Sequence, residues 1–172
     1  MGVPRSWDKG VDFEVAYRRI LRHMHGARFP SKCYDAILLI QLRNGLRISE
    51  AVRAFLQFLR TRGVELEVQL SKKRRPEARL VVIPKELLDV NLSECRSLLE
   101  EPEEVISKRM RRYCIETFGF NTHSLRYAFI TYLLRQGVNP SIVAKITRHS
   151  KLDFILRYTQ EKAAEEILRG MG

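Results

Sequence analysis

The chain has 172 residues, 45% hydrophobic and 30% charged, with a formal net charge of +11 and a pI near 10.0. That length suits one domain with a core of its own, and the balance excludes a disordered or membrane-embedded chain. No apolar run approaches 18 residues, Met1–Asp8 lacks the apolar stretch of a signal peptide, and three cysteines (Cys33, Cys95, Cys114) without CxxC spacing suggest neither a disulfide frame nor a metal site, which points to a reducing, cytoplasmic compartment.

In chain order, residues 11–24 read as an amphipathic helix ending before Gly26. Ser31 can cap a second helix, Lys32–Arg43, stopped by Asn44-Gly45. Ser49 can cap a third, Glu50–Arg62, with Val52, Phe55, Leu56 and Leu59 on one stripe and Gly63 past its end. The period then changes. Val64, Leu66, Val68 and Leu70 alternate with polar residues, the pattern of a half-buried strand, and Arg79–Ile83 is a second strand closed by Pro84. The basic loop Ser71–Ala78 joins them into a hairpin. Pro102 opens Glu103–Thr117, and Gly119 ends it. Asn121 or Thr122 caps His123–Gln136, and Asn139-Pro140 starts Ser141–Arg148. Ser150 and Asp153 resemble a capping box for Lys151–Tyr158, and Glu161–Arg169 forms a last helix. The fold class is therefore mainly α with a small antiparallel β-hairpin, read as a single domain with 1–10 as an arm and 159–172 as a tail.

The charge is unevenly placed. Residues 86–104 hold seven acids against one base, so the cationic excess of the rest of the chain is larger still. This acidic stretch reads as a solvated outer face, and the basic remainder as a surface for a polyanion. DNA and RNA satisfy that reading equally.

Chemistry-bearing residues cluster late. His123 and Arg126 are three apart on one helix, and His149 and Tyr158 follow. Arg47 precedes the third helix, so a phosphate there meets a guanidinium and a positive helix end. Two arginines can grip the non-bridging oxygens of one phosphate, which gain charge in the transition state. A tyrosine, with a reference pKa of about 10, needs a base or a cationic field to attack at neutral pH. A histidine can be that base, and a lysine on the hairpin turn, Lys72 or Lys73, can protonate the leaving oxygen.

These motifs resemble the catalytic domain of tyrosine recombinases, the phage-integrase and Xer family. Gly45-Leu46-Arg47-Ile48-Ser49-Glu50 is similar to the family's first-arginine motif, and His123-Ser-Leu-Arg126 to its HxLR box. The positions of His149 and Tyr158 suit its second histidine and its nucleophile, and Lys72 its hairpin lysine, with Lys73 the alternative. The resemblance implies a site-specific recombinase or integrase that cleaves and rejoins double-stranded DNA through a 3′-phosphotyrosyl intermediate. It implies catalytic Arg47, Lys72, His123, Arg126, His149 and Tyr158, no metal and no other cofactor, and self-assembly on DNA. Family members often have glycine before the second histidine, where this chain has Arg148, and histidine after the HxLR box, where it has Tyr127. They usually carry an N-terminal helical clamp, which residues 1–30 are too few to form. Either a separate chain supplies it, or this is an isolated catalytic domain, or the protein has a reduced role. The alternatives are a non-catalytic DNA-binding protein derived from a recombinase, and type IB topoisomerase-like relaxation.

Overall fold

The structure, a computed structural model, describes residues 11–71, 74–148 and 152–171, with the side chains of 152–156, 158, 159 and 162 outside the description. The arm 1–10 thus lies outside the described residues. The chain divides into two compact units, Met1–Phe129 and Ile130–Gly172.

In the first unit, helix α1 spans Phe13–Gly26 and starts where the Asp12 carboxylate accepts from Val15 N. It buries Ala16, Ile20 and Met24, one residue per turn. Helix α2, Ser31–Asn44, is buried along most of its length and forms the centre, with α1 and the third helix packed on it. Its N-cap is Pro30 rather than Ser31, and it ends because Gly45 adopts a left-handed φ of 64°. Helix α3, Ile48–Thr61, begins two residues before the reading from sequence. Arg47 is the extended N-cap residue, and Glu50 reaches back to Arg47 N at 3.1 Å, so Glu50 rather than Ser49 does the capping. The helix closes at Arg62, φ 57°, and not at Gly63. A left-handed arginine costs about 1 kcal/mol, and its guanidinium lies over the Phe58 ring at 4.6 Å, which offsets part of it.

Strands β1, Glu65–Gln69, and β2, Ala78–Val82, pair antiparallel with Leu66 opposite Val81 and Val68 opposite Arg79. Leu66, Val68 and Val81 are buried while Glu65, Glu67 and Leu80 are exposed, so the alternation read from sequence holds within β1; Val64 and Leu70, which it also included, flank the strand, Val64 exposed and Leu70 half-buried. The acidic stretch is only half an outer face. A 3₁₀ turn at Lys85–Leu87 and a 3₁₀ helix at Ser93–Glu100 bury Leu87, Leu92, Cys95 and Leu98. Helix α4, Glu103–Phe118, packs on α3 and ends at Gly119.

The cysteine reading from sequence is corrected. Cys33 on α2 and Cys95 on the 3₁₀ helix form a disulfide, 62 residues apart in sequence and 5.7 Å apart between Cα atoms. An odd count without short-range spacing conceals a pair that only tertiary packing brings together, and the inference of a reducing compartment loses its cysteine argument. Cys114 is free and buried, and burial with Asp35 nearby pushes its thiol up to about 12. Asp35 itself is fully buried on α2. It accepts from Tyr113 OH at 2.7 Å and contacts His23 Nδ1 at 2.7 Å. Burial raises its carboxyl pKa despite those two hydrogen bonds.

Helix α5, Thr122–Arg135, runs from the first unit into the second. In the second unit, helix α6, Pro140–Thr147, starts with the Asn139 side chain accepting from Ser141 N. Helix α7, Leu152–Gly170, packs on α6 and is continuous where the capping signals suggested two helices. No glycine or proline interrupts 152–169, so nothing stops the helix at Thr159. Among the described residues no helix is long and apolar enough to cross a membrane.

Candidate active site

The site is built on the turn between α2 and α3. Gly45 has no alternative there. Its φ is left-handed, and a Cβ would overlap the Phe129 ring of α5. The close approach of α5 lets Arg126 Nη1 donate to Gly45 O at 2.8 Å. Gln41 ties the same elements from below. Its Nε2 donates to Leu46 O at 3.2 Å and to Thr122 O at 3.0 Å, joining the turn to the start of α5.

Arg126 is 1% exposed, the largest of the fully buried side chains. Burial, with the charges of Arg47 and Arg79 nearby, lowers its pKa to about 10, and the carboxylate of Glu50 acts against them. Arg47 is more open, with 28% of its side chain exposed, and its Nη1 lies 3.4 Å from Glu50 Oε2. Arg47 and Arg126, 79 residues apart in sequence, are thus brought together as the sequence motifs require. Two guanidinium groups in one partly closed place form a preorganised seat for an anion.

His123 stands exposed on α5, and its ring meets Tyr127 edge-on at 5.0 Å. Burial raises the Tyr127 phenol pKa, while the charges of Arg126 and Arg47 pull it down. The residue that departs from the family pattern therefore touches the histidine and lies within the electrostatic reach of both arginines. Arg148, the other departure, occupies a left-handed C-cap of α6 with φ 59°. Glycine suits that conformation best, which gives a physical reason for the family's preference there. Lys72, Lys73 and His149 lie outside the described residues. Tyr158 is on α7, with its side chain outside the description. Among the described residues no cluster of His, Cys, Asp or Glu could hold a metal.

Three polar residues at the site were given no role there by the sequence reading. Glu50, 0% exposed, accepts from Arg47 N through Oε1 and from Ser71 N at 3.1 Å through Oε2. It therefore links the arginine to the residue before Lys72. Its position three residues after Arg47 was the available signal, a capping-box spacing. Arg79 is 5% exposed on β2 and donates to Asn44 O at 2.6 Å. Asn44 bonds β2 with its amide. Both depend on long-range pairing and carry no local signature.

Residues 14–165 match the model of the phage integrase family. The chain is 41% identical over 170 residues to the protein named integrase ORF241 of Acidianus two-tailed virus, covering 95% of this chain and 68% of that one. In fold it is similar to XerA recombinase, with a TM-score of 0.55 and 17% identity, over 92% of this chain and 62% of that one. It is also similar to the XerH site-specific recombinase bound to its difH substrate in a pre-cleavage complex, with a TM-score of 0.51 and 15% identity, over 90% and 51%. The chain spans less than two thirds of the length of either solved recombinase.

Proposed function

The chain belongs to the phage integrase family, and from that membership we propose that it cleaves and rejoins double-stranded DNA as a tyrosine recombinase. The observation that carries the proposal is the convergence of Arg47 and Arg126 on the Gly45 turn, with Arg126 buried although its charge is disfavoured there. A buried guanidinium beside a second one is an expensive arrangement for a fold alone. It is well suited to a phosphate whose oxygens gain charge during reaction.

In this reading Arg47 and Arg126 hold the scissile phosphate. Tyr158 Oη attacks phosphorus, its proton passing to His123. The phosphorus–5′-oxygen bond breaks as Lys72 protonates the departing oxygen, leaving a 3′-phosphotyrosyl bond and a free 5′-hydroxyl. Attack of a 5′-hydroxyl from another strand reverses the step and rejoins DNA, so the covalent bond conserves the energy and no nucleotide cofactor is consumed. His149 hydrogen-bonds the phosphate. The net charge of +11 supplies the sequence-independent attraction to duplex, and several copies assemble on DNA to exchange strands.

A pool of nicked duplexes with a randomised core tests this. Incubation should yield a denaturant-resistant protein–DNA adduct, from which the preferred sequence is read. Tyr158→Phe should abolish the adduct while leaving folding and binding near wild type, since only a hydroxyl is lost. An undiminished adduct in Tyr158→Phe would move the nucleophile, to Tyr132 first. No adduct from the wild type on any duplex would remove the recombinase reading.

A further inference from the structure

We propose that Asn44 is a positioning residue for proton transfer to the leaving oxygen: it fixes the register of the β-hairpin, and so the place of the turn carrying Lys72, against the arginine pair. The inference rests on the recombinase reading above, in which that turn holds the general acid.

The Asn44 side chain stands in for a third strand. Strand β2 has β1 along one edge. Along the other, Asn44 Oδ1 accepts from Val82 N at 2.9 Å and Asn44 Nδ2 donates to Val82 O at 2.9 Å, the pair of bonds a neighbouring strand would make. The same Nδ2 donates to Ile40 O at 3.0 Å, which anchors the amide to the last turn of α2. Both amide hydrogens are therefore used, and the residue is 5% exposed. The backbone takes part as well, because Asn44 O accepts from Arg79 on the same strand. The next carbonyl, Gly45 O, accepts from Arg126. Two adjacent peptide groups thus hold the hairpin and the buried arginine of the phosphate seat.

The far end of the hairpin is fixed to the same segment. Ser71 N donates to Glu50 Oε2, and the Ser71 and Ser49 hydroxyls are 2.8 Å apart. Lys72 is the next residue in the chain. A two-stranded sheet alone is marginally stable and free to slip, and a slip of one residue moves the turn by about 3.3 Å and reverses its faces. Asn44 at one end and Ser49 with Glu50 at the other remove that freedom. A misplacement of about 1 Å in a reacting group costs on the order of 10²-fold in rate, so the register matters to catalysis more than to folding.

The test compares two nicked duplexes of the captured sequence, identical except that the bridging 5′-oxygen at the scissile phosphate is sulfur in one. A thiolate leaves without a proton, so defects that act through the general acid vanish on the sulfur substrate. Asn44→Ala and Asn44→Asp, the latter keeping an acceptor for Val82 N but losing both donors, should form adduct on oxygen DNA about 10²-fold more slowly. On sulfur DNA both should return to within about threefold of wild type, as Lys72→Ala run beside them does. Ser49→Ala, at a half-buried position where folding is not at risk, should show the same pattern at about tenfold. Equal slowing of the Asn44 variants on both substrates, or none on either, overturns the inference while leaving the recombinase reading intact. Should the Asn44 variants not fold, a normal Ser49→Ala rate on oxygen DNA overturns it instead. Absence of wild-type adduct on both substrates overturns the recombinase reading, and this inference with it.

Discussion

Replacing Arg126 with methionine separates what the residue does for the fold from what it does for the substrate. Burial and neighbouring positive charge lower its pKa from the ordinary arginine range to about 10. At 1.36 kcal/mol per unit, the charged form is disfavoured in the native state by on the order of 3 kcal/mol. The sign follows from linkage. A base with a depressed native pKa carries this penalty in full at all pH values below about 10, and regains stability only as pH rises from there toward the ordinary arginine value. Methionine removes the penalty at neutral pH and fills much of the same space. Against this, the variant loses the guanidinium's own contacts, among them the bond donated to Gly45 O, a charged hydrogen bond whose loss costs about 1–3 kcal/mol. The terms have opposite sign, so the variant should unfold in urea within about 3 kcal/mol of the wild type, in the absence of DNA. Adduct formation should fall by on the order of 10³-fold, the loss typical of a removed oxyanion donor. Inorganic phosphate should stabilise the wild type and not the variant, by RT ln(1 + [L]/Kd). A loss of 4 kcal/mol or more in urea, with phosphate stabilising both proteins equally, would mean that Arg126 is a strut of the fold and not a phosphate ligand.

Gly45→Ala must adopt a left-handed φ and displace the Phe129 ring, so denaturant unfolding should show a loss of about 2–4 kcal/mol. Asp35→Asn keeps the geometry with Tyr113 and His23 but removes a carboxyl whose pKa is raised by burial. A raised acid favours the native state below its unfolded pKa and loses that contribution as pH rises through the native value. The asparagine variant should therefore gain on the wild type as pH climbs through the acid range and hold the gain at neutral pH, as read by thermal melts against pH. Cys33→Ser opens a loop with a sequence separation of 62, which by chain entropy costs about 4 kcal/mol. Urea unfolding should show a loss of that order, and dithiothreitol should destabilise the wild type but leave the variant unchanged.

The elements with a strong period were legible. The alternation of Leu66 and Val68 with Glu65 and Glu67 is the observed burial of β1, and Gly45 and Gly119 stop α2 and α4. Among the candidate site residues, Arg47 and Arg126 were picked out by motif and lie close in space. What stayed hidden depended on contacts distant in sequence. Asn44 finds Val82, Cys33 finds Cys95, and Arg79 reaches back to a turn 35 residues earlier, and none has a spacing a linear reading can use. Local rules also competed. Ser49 is a good N-cap residue, but Glu50 three residues after Arg47 satisfied the orphan amide first and moved the helix start. At Arg62 the turn closed one residue before the available glycine, with Phe58 beneath the guanidinium.

The Cys33–Cys95 bond also changes what a cut in the chain means. It closes a covalent ring that contains Arg47 and the whole hairpin, while His123, Arg126, His149 and Tyr158 hang outside it. Arg74 and Arg75 are exposed on the turn of that ring. Trypsin acting there would open the ring without dividing the molecule. The two halves, one bearing Arg47 and the other Arg126, would stay on one covalent framework and run as a single species on a gel until a reductant parts them. The hairpin turn is therefore a place where the backbone can be severed, tagged or spliced to a foreign segment while the two arginines keep a shared scaffold.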